Sequence, residues 1–272
     1  QVGEGADEIF AGYGTYLTSV NLYEKYWRFL KKVPGFLRGL PFCGARALMS
    51  SPKYDFLNTY LERLKNNDEP FWGNAIAFSN YQKNKLLSDN YKKKIPENDG
   101  YQVIKKIYDE IDKRDPDADF LKRVTYLELK IRLPELLLAR VDKMAMAHSV
   151  EPRVPFLDKR LVELAMSMPQ ELKLKNQTTK YVLKKAVTGV IPDEIIWRKK
   201  QGFGAPIAEW LRNKETAKDL TDIIFNSKLK ERDILNYDYV RSLIASHQSG
   251  KVDHNFRIWN LITLSLWYDY WV

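Results

Sequence analysis

Cysteine is almost absent from this sequence: Cys43 is the only one among 272 residues. A disulfide framework and a zinc site built from cysteines are therefore excluded, and the composition fits the reducing cytoplasm. No apolar run reaches the length of a membrane span, and no signal peptide is visible. We therefore expect a cytoplasmic protein with no membrane partner.

Several catalytic signatures are missing as well. The chain contains no HExxH metalloprotease helix, no Walker A loop, no GxGxxG dinucleotide loop and no Ser-His-Asp order. Of the three histidines, His247 and His254 show no ligand spacing with each other. The glycine-rich stretch 202–204 is too short to be a phosphate loop by itself. Zinc proteases, P-loop nucleotidases and dinucleotide-dependent enzymes are thus disfavoured.

The composition is ordinary for a globular protein, with 44% apolar and 29% charged residues. Apolar side chains recur at helical spacing, and the period of two that marks strands is scarce. We therefore predict a mainly α chain with an exposed loop at 90–100 and a break at Pro134. The predicted helices are 13–30, 54–65, 71–87, 100–114, 119–147, 214–226, 237–248 and 254–270.

Positive charge dominates, because 44 lysines and arginines face 35 acidic residues and give a net charge of +9. Basic proteins bind nucleic acids, and they also bind nucleotides and pyrophosphate. The basic residues are spread along the chain, and no zinc-finger, RNA-binding or arginine-rich signature is present. We therefore interpret most of this charge as solvated surface and expect no nucleic-acid partner.

The first fourteen residues carry the strongest local signal for a site. Gly3 and Gly5 bracket Glu4, and glycine lets the main chain approach a ligand closely. Asp7 follows at the start of an apolar helical pattern, where a carboxylate either holds Mg²⁺ or complements the helix dipole. Because the chain begins inside this unit, we expect it to be the C-terminal part of a longer protein.

Two lysines are candidate phosphate ligands. Thr178 or Thr179 is predicted to cap a helix that carries Lys180 early in its course, where an ammonium group can receive an anion. Lys200 lies in a basic run that leads into a Gly-Phe-Gly loop, and from there it can neutralise charge on a transferred phosphate. Taken singly, each lysine is more readily explained as a surface residue.

The segment 140–158 is dense in arginine, aspartate, glutamate and histidine around a turn fixed by prolines. We interpret it as a buried ion-pair scaffold that supports the site. Arg153 is expected to pair with Asp158 or Glu151, and His148 is expected to be a core histidine. Asp158 is also predicted to cap the helix that follows it.

Taken together, these segments resemble the synthetase domain of the glutamine-dependent asparagine synthetase family. The order and spacing of many segments make the resemblance far more specific than any single motif. The matching positions are 3–13, 140–144, 146–151, 153–158 and 180–184, followed by Arg198, Lys200, Gly202, Phe203, Pro206 and Trp210. After about residue 215 only a helical pattern remains.

The resemblance implies an ATP-dependent amide synthesis with Mg²⁺. In that family, ATP adenylates the side-chain carboxylate of aspartate and releases pyrophosphate. Ammonia, which a separate N-terminal glutaminase domain obtains from glutamine, then attacks the acyl adenylate and yields asparagine and AMP. The implied fold is the C-terminal helical part of an α/β ATP-pyrophosphatase-like synthetase domain over residues 1–272, and a homodimer is compatible with it.

The same resemblance gives roles to single positions. Glu4 corresponds to the acid that takes a proton from the attacking ammonia, and Lys200 to the lysine that stabilises charge during adenylation. Asp7 corresponds to a Mg²⁺ ligand, and Lys180 to a pyrophosphate contact. Gly3 and Gly5 belong to the stretch that binds substrate and pyrophosphate.

The sequence departs from the family pattern in three ways, and the first two bear on activity. The pyrophosphate loop of the form Ser-Gly-Gly-x-Asp-Ser and the glutaminase domain with its N-terminal cysteine are both absent from these 272 residues. Ala11 also stands where the family usually has glycine. We therefore expect the sheet that carries the ATP loop to be missing, and the isolated chain to be inactive.

Two alternatives remain open. Related synthetases amidate sugars or peptides or close lactam rings, and Glu4 argues only against the ring-closing relatives. A non-catalytic basic helical module would instead bind nucleic acid with a steep salt dependence. That second reading would scatter Glu4, Asp7, Lys180 and Lys200 over the surface.

Overall fold

The computed structural model describes residues 1–38, 54–95, 99–199 and 204–272. Across these ranges the regular structure is helical, and backbone pairing of the strand type is confined to isolated bridges. The prediction of a mainly α chain is therefore confirmed. No helix in the described ranges is both long enough and apolar enough to cross a membrane.

The chain forms two compact units, and each unit is assembled from three separate stretches of sequence. The first unit consists of Gln1–Val33, Asp68–Ala75 and Tyr101–Lys200. The second unit consists of Pro34–Asn67, Ile76–Gly100 and Gln201–Val272.

The first unit is built around a buried face of the Phe120–Lys130 helix, whose Leu121, Val124 and Leu127 are almost fully buried. Asp119 caps this helix by accepting a hydrogen bond from the Lys122 amide at 2.7 Å. Pro134 lies in the first turn of a π-helical segment, so the predicted break is confirmed. The α-helices of the first unit are Ala6–Ile9, Gly14–Leu22, Arg28–Leu30, Tyr101–Arg114, Phe120–Lys130, Ala139–Met146, Lys159–Ser167, Gln170–Lys173, Tyr181–Ala186 and Asp193–Ile196, with π-helical segments at Tyr23–Trp27 and Leu133–Leu138 and a 3₁₀ turn at Pro155–Leu157.

The second unit packs its last three long helices around an apolar centre. Leu211, Ile224, Val240 and Leu261 are each exposed by no more than 2%. The α-helices of this unit are Gly35–Arg38, Asp55–Lys65, Asn80–Leu86, Asp89–Lys94, Ile207–Arg212, Lys214–Asn226, Tyr237–Gln248 and Asn255–Trp271, with a 3₁₀ segment at Lys228–Arg232.

Helix predictions hold where the apolar period is long and fail where local capping decides. The predicted helix over 71–87 is wrong in its first half, because the helix begins only at Asn80. Ser79 and Gln82 form a capping box there, in which each side chain bonds to the other residue's backbone. The predicted loop at 90–100 is wrong at its start, because Ser88 caps a helix over Asp89–Lys94.

Lys173 is an unusual buried cation in the first unit, with 1% of its surface exposed. Burial lowers the pKa of its ammonium group from 10.5 to about 8, although the charge of Asp119 partly opposes the shift. Because the folded pKa lies below the unfolded one, the protonated lysine destabilises the fold at neutral pH. This cost disappears as the pH rises from about 8 to 10.5.

We predict that Lys173→Met stabilises the protein by up to about 3 kcal/mol at pH 7. Urea unfolding at several pH values should show the difference from the parent chain shrinking between pH 8 and 10.5. The control is Lys159→Met, because the Lys159 side chain is 87% exposed and its loss should change stability by less than about 0.5 kcal/mol. A stability difference between Lys173→Met and the parent chain that stays constant with pH would contradict the lowered pKa of Lys173.

We also predict that Leu261→Ala costs about 2–5 kcal/mol in the free energy of unfolding, because it leaves a cavity in the second unit's core. Leu266 lies on the same helix and is 52% exposed. Leu266→Ala should therefore change stability by no more than about 0.5 kcal/mol. If urea unfolding shows equal losses of stability for the two variants, Leu261 is not the more buried of the two residues.

Candidate functional site

The glycine-rich segment near the N-terminus forms a tight turn into a four-residue helix, Ala6–Ile9. Gly5 precedes that helix with φ of +93°, a left-handed conformation that favours glycine. A Cβ atom at Gly5 would also overlap the side chain of Leu157. Ile9 and Phe10 anchor the other end of the helix, because both are buried in a cluster that includes Ala165.

The 153–158 turn lies directly alongside this segment. The Val2 amide donates a hydrogen bond to the Arg153 carbonyl at 2.9 Å, and the rings of Phe10 and Phe156 meet edge to face. Asp158 then caps the Lys159–Ser167 helix by accepting from the Arg160 amide at 3.0 Å, as predicted. Two motifs that are far apart in sequence thus form one surface.

Asp7 and Lys180 meet on this surface. The Lys180 Nζ atom lies 2.7 Å from Asp7 Oδ1, and the two side chains are 23% and 22% exposed. Gly12 lies beneath the pair, where a Cβ atom would overlap both Asp7 Oδ1 and Lys180 Cε. The absence of a side chain at Gly12 is therefore what allows these two groups to pair.

The backbone conformations explain two details of this sequence. Lys180 stands immediately before the Tyr181–Ala186 helix with φ of +53°, and no side chain caps that helix. The predicted cap by Thr178 or Thr179 is therefore wrong, because Thr178 forms a backbone bridge with Lys175 instead. Ala11 also has a left-handed φ of +59°, a conformation that glycine adopts more readily than alanine.

The remaining candidate residues are Glu4 and Gly3 in the N-terminal turn, and Lys200. Glu4 is partly buried in the turn before Gly5, and Gly3 is exposed beside it. Lys200, predicted to act in adenylation, lies outside the described residues. The structure thus brings Asp7 and Lys180 together. Glu4 lies in the turn that leads into the short helix of Asp7.

More positive charge lies close to Lys180. The Nζ atoms of Lys184 and Lys185 lie 5.4 and 5.8 Å from the ring centre of Trp197, in cation–π geometry. Burial, together with the charge of Lys180, lowers the pKa of the Lys184 ammonium group. Since like charges held together favour an anionic partner, this face is suited to a phosphate-bearing ligand.

A buried acid network behind Asp7 was not anticipated from the sequence. Glu8 and Glu128 are each only 1% exposed, and Arg132 Nη1 lies 3.7 Å from Glu8 Oε1 and 3.3 Å from Glu128 Oε2. Its sequence signal is the i,i+4 spacing of Glu128 and Arg132, which is common on helix surfaces and does not itself indicate burial.

Hydrogen bonds complete this network. The hydroxyl of Tyr13 donates to Glu8 at 2.6 Å, and that of Tyr16 donates to Glu128 at 3.2 Å. Asn74 adds its amide and its side-chain nitrogen to Glu128, at 2.8 and 3.0 Å. Burial raises the pKa of both tyrosine hydroxyls, and the nearby carboxylate raises it further. Both hydroxyls therefore stay protonated and can donate.

The prediction that the charged residues of 140–158 form a buried scaffold is wrong, because they are exposed. Arg153 does pair with Glu151 at 3.0 Å, but both side chains are largely exposed. His148 is exposed as well, rather than in the core, and the Ala139–Met146 helix contains no buried residue. Charge density alone could not distinguish this exposed face from the buried network around Arg132.

Within the described ranges, this surface offers a divalent cation single carboxylates rather than a preformed cage. The described ranges contain no group of three or more histidine, cysteine, aspartate or glutamate side chains that could hold a metal ion. Mg²⁺ is commonly held by one or two carboxylates together with substrate phosphates and water. Asp7 fits that mode of binding.

Comparison with known proteins identifies the family. The sequence model of asparagine synthase matches residues 1–269. This chain belongs to the asparagine synthase family. No solved structure matches it.

Its relatives are considerably longer proteins. Asparagine synthetase 1 (glutamine-hydrolyzing) of Bacillus subtilis is 33% identical over 98% of this chain, which covers 39% of that protein. Asparagine synthetase 3 of the same organism is 33% identical over 50% of the chain and 24% of its own length. The asparagine synthetase of Gallus gallus is 42% identical over 25% of the chain and 13% of its own length.

The role of Gly12 leads to a stability prediction. Gly12→Ala should cost about 1–3 kcal/mol, because the added methyl group must separate the partly exposed side chains of Asp7 and Lys180. The matched control is Gly14→Ala, since a Cβ at Gly14 meets nothing within 4 Å and the residue begins a helix. The control should be neutral or slightly stabilising in urea unfolding. If the two variants behave alike, the tight packing at Gly12 is refuted.

Proposed function

We propose that this chain is part of an ATP-dependent amidotransferase that converts aspartate to asparagine with ammonia derived from glutamine. The match of the asparagine synthase family to residues 1–269 carries this proposal. The pairing of Asp7 with Lys180 beside the Gly3–Glu4–Gly5 turn supports it, because the residues implied by the family resemblance share one surface.

The proposed reaction has two steps. An oxygen of the aspartate side-chain carboxylate attacks the α-phosphorus of ATP, and the bond to the β-phosphate breaks to release pyrophosphate. Ammonia then attacks the acyl carbon, loses a proton and expels AMP. Because phosphoryl transfer depends on charge stabilisation and positioning, the residues of this chain would act chiefly through electrostatics.

Each candidate residue has a defined part in this scheme. Glu4 accepts the proton that the attacking ammonia loses. Lys180 binds pyrophosphate oxygens, and Lys200 neutralises charge during adenylation. Asp7 would hold Mg²⁺, which when bound supplies positive charge to the phosphates. Gly3 and Gly5 allow close approach of the substrate.

The opposite charges of Asp7 and Lys180 suit such a ligand. A Mg²⁺–pyrophosphate complex presents a cation next to anionic oxygens, and the pair offers a carboxylate and an ammonium group 2.7 Å apart. The two side chains are partly exposed, so their mutual attraction is screened and a ligand can replace it at modest cost. The neighbouring Lys184 and Lys185 add to the positive field.

The test uses the longest gene product that contains this chain. Pyrophosphate release from ATP is measured with Mg²⁺ and ammonium, with and without aspartate, and asparagine is assayed by chromatography. We expect aspartate-dependent release that falls by about a hundredfold or more in Lys200→Ala. Lys199→Ala is the matched control, because it removes the adjacent positive charge and should leave the rate nearly unchanged.

Two further arms separate the alternatives. A folded protein that releases pyrophosphate only with a sugar or peptide acceptor would keep the chemistry and overturn aspartate as the substrate. The isolated 272-residue chain is expected to release no pyrophosphate, because it has no Ser-Gly-Gly-x-Asp-Ser loop. Turnover by that chain would contradict this expectation. The glutaminase partner, the cytoplasmic location and the homodimer stay predictions.

A further inference from the structure

The Asn255–Trp271 helix is apolar on two opposite faces. Its inner face supplies Ile258, Leu261 and Ile262 to the core of the second unit. The opposite face carries large apolar side chains that are exposed by 39–78%, namely Phe256, Leu264, Trp267, Tyr270 and Trp271. A helix that is hydrophobic all round is typically covered on all sides in a folded protein. The outer face of this helix therefore has the character of a contact surface.

The exposed side chains form one continuous stripe along the helix. Each residue advances about 100° around the helix axis, so the spacing of the exposed positions places them within about 100° of one another. We call this set the outer stripe: Phe256, Asn260, Thr263, Leu264, Trp267 and Trp271, with Tyr270 at its edge. The stripe is about 22 Å long, because the helix rises about 1.5 Å per residue. Leu266 is exposed as well but points about 100° away from Trp267 and lies outside the stripe.

The outer stripe contains no charged residue. The two charged residues of the helix, Arg257 and Asp269, are bonded to neighbouring parts of the second unit. The Nε atom of Arg257 donates to the Ala77 carbonyl at 3.0 Å. The Asp269 carboxylate accepts from the Ser227 hydroxyl at 2.8 Å and from the Lys228 amide at 2.9 Å. Since 29% of all residues in the chain are charged, an uncharged stripe of this length is suited to burial rather than to hydration.

The area of the stripe is close to what one partner contributes to a stable dimer. At about 200 Å² for a fully exposed aromatic side chain, the exposed fractions of the four aromatic residues amount to about 500 Å². Leu264 and the two polar members bring the face to about 700 Å², which exceeds the largest apolar patch of a typical monomer, about 300–600 Å². Two such faces would bury about 1,400 Å², within the range of specific interfaces.

The order of residues along the stripe is self-complementary. A two-fold axis between Thr263 and Leu264 reverses the helix and superimposes the stripe on itself. In such an antiparallel pair, Phe256 of one copy faces Trp271 of the second copy, and Asn260 faces Trp267. The Asn260 Nδ2 atom donates to the Phe256 carbonyl at 2.7 Å within its own helix, which leaves Oδ1 as an acceptor for the indole N–H of Trp267 in the second copy.

We propose that the outer stripe is a homodimer interface, in which the Asn255–Trp271 helices of two copies pack antiparallel about a two-fold axis. A two-fold interface uses the same surface on both copies, so the stripe supplies both halves of the contact. The assignment does not depend on the proposed synthetase activity. It names the surface through which the expected homodimer forms.

The first experiment measures the oligomeric state of the longest gene product that contains this chain, by light scattering and sedimentation velocity. We expect the mass of a dimer. Trp267→Lys places two charges at the centre of the interface and should raise the dissociation constant by about thirtyfold or more. The matched control is Leu266→Lys, because Leu266 is the next residue, is 52% exposed and lies outside the stripe. It should leave the dimer intact.

A second experiment tests the antiparallel register without a disruptive substitution. Cys43, the only cysteine of the sequence, is replaced by serine, and Thr263→Cys is introduced beside the expected two-fold axis. Packed helices lie about 8–10 Å apart, so a short bismaleimide should join the two copies at this position. Arg241→Cys is the control, because Arg241 is exposed on the preceding helix and should give no covalent dimer. Thr263 is itself exposed, so this variant is expected to fold like the parent chain.

The outcomes separate the second copy from other occupants of the stripe. A dimer that is lost in Trp267→Lys, kept in Leu266→Lys and joined at position 263 supports the proposal. A gene product that stays monomeric at tens of micromolar overturns it. A dimer that forms only from the 272-residue chain shows that another segment of the longer protein covers the stripe, and this also overturns it. Equal effects of the two lysine variants, or equal cross-linking at 263 and 241, would place the interface elsewhere.

Discussion

The contact on which the candidate site depends is the buried approach of Arg132 to Glu8 and Glu128. Two carboxylates in a dry interior are tolerable only when a cation and several donors satisfy them. Tyr13, Tyr16 and Asn74 provide those donors. The network joins the first helix of the chain to the Phe120–Lys130 helix and therefore fixes the direction in which that first helix presents its side chains.

Asp7 and Glu8 illustrate how one short helix separates two functions. Adjacent residues on a helix point in directions about 100° apart, so Glu8 enters the interior while Asp7 faces Lys180. The buried acid has fixed partners, and the partly exposed one has a screened partner that a ligand can replace. Gly5 and Gly12 make this arrangement sterically possible, because a side chain at either position would overlap its neighbours.

The two units of the chain offer different chemistry. In the first unit, lysines gather around Lys180 and Trp197 and favour phosphate groups. In the second unit, the buried His254 ring accepts a hydrogen bond from Arg257 at 2.9 Å. The chain spans 39% of the Bacillus subtilis relative that it matches over nearly its whole length.

By itself, the sequence determined the helical class, the bounds of long helices such as Lys214–Asn226 and Tyr237–Gln248, and the family. These depend on periodicity and on ordered motifs, which are local or linear properties of the chain. Only the tertiary structure decided that Asp7 meets Lys180, that Glu8 is buried against Arg132 and that the charges of 140–158 face outward. Burial and pairing depend on which distant segments pack together, and residue type and spacing along the chain do not specify that.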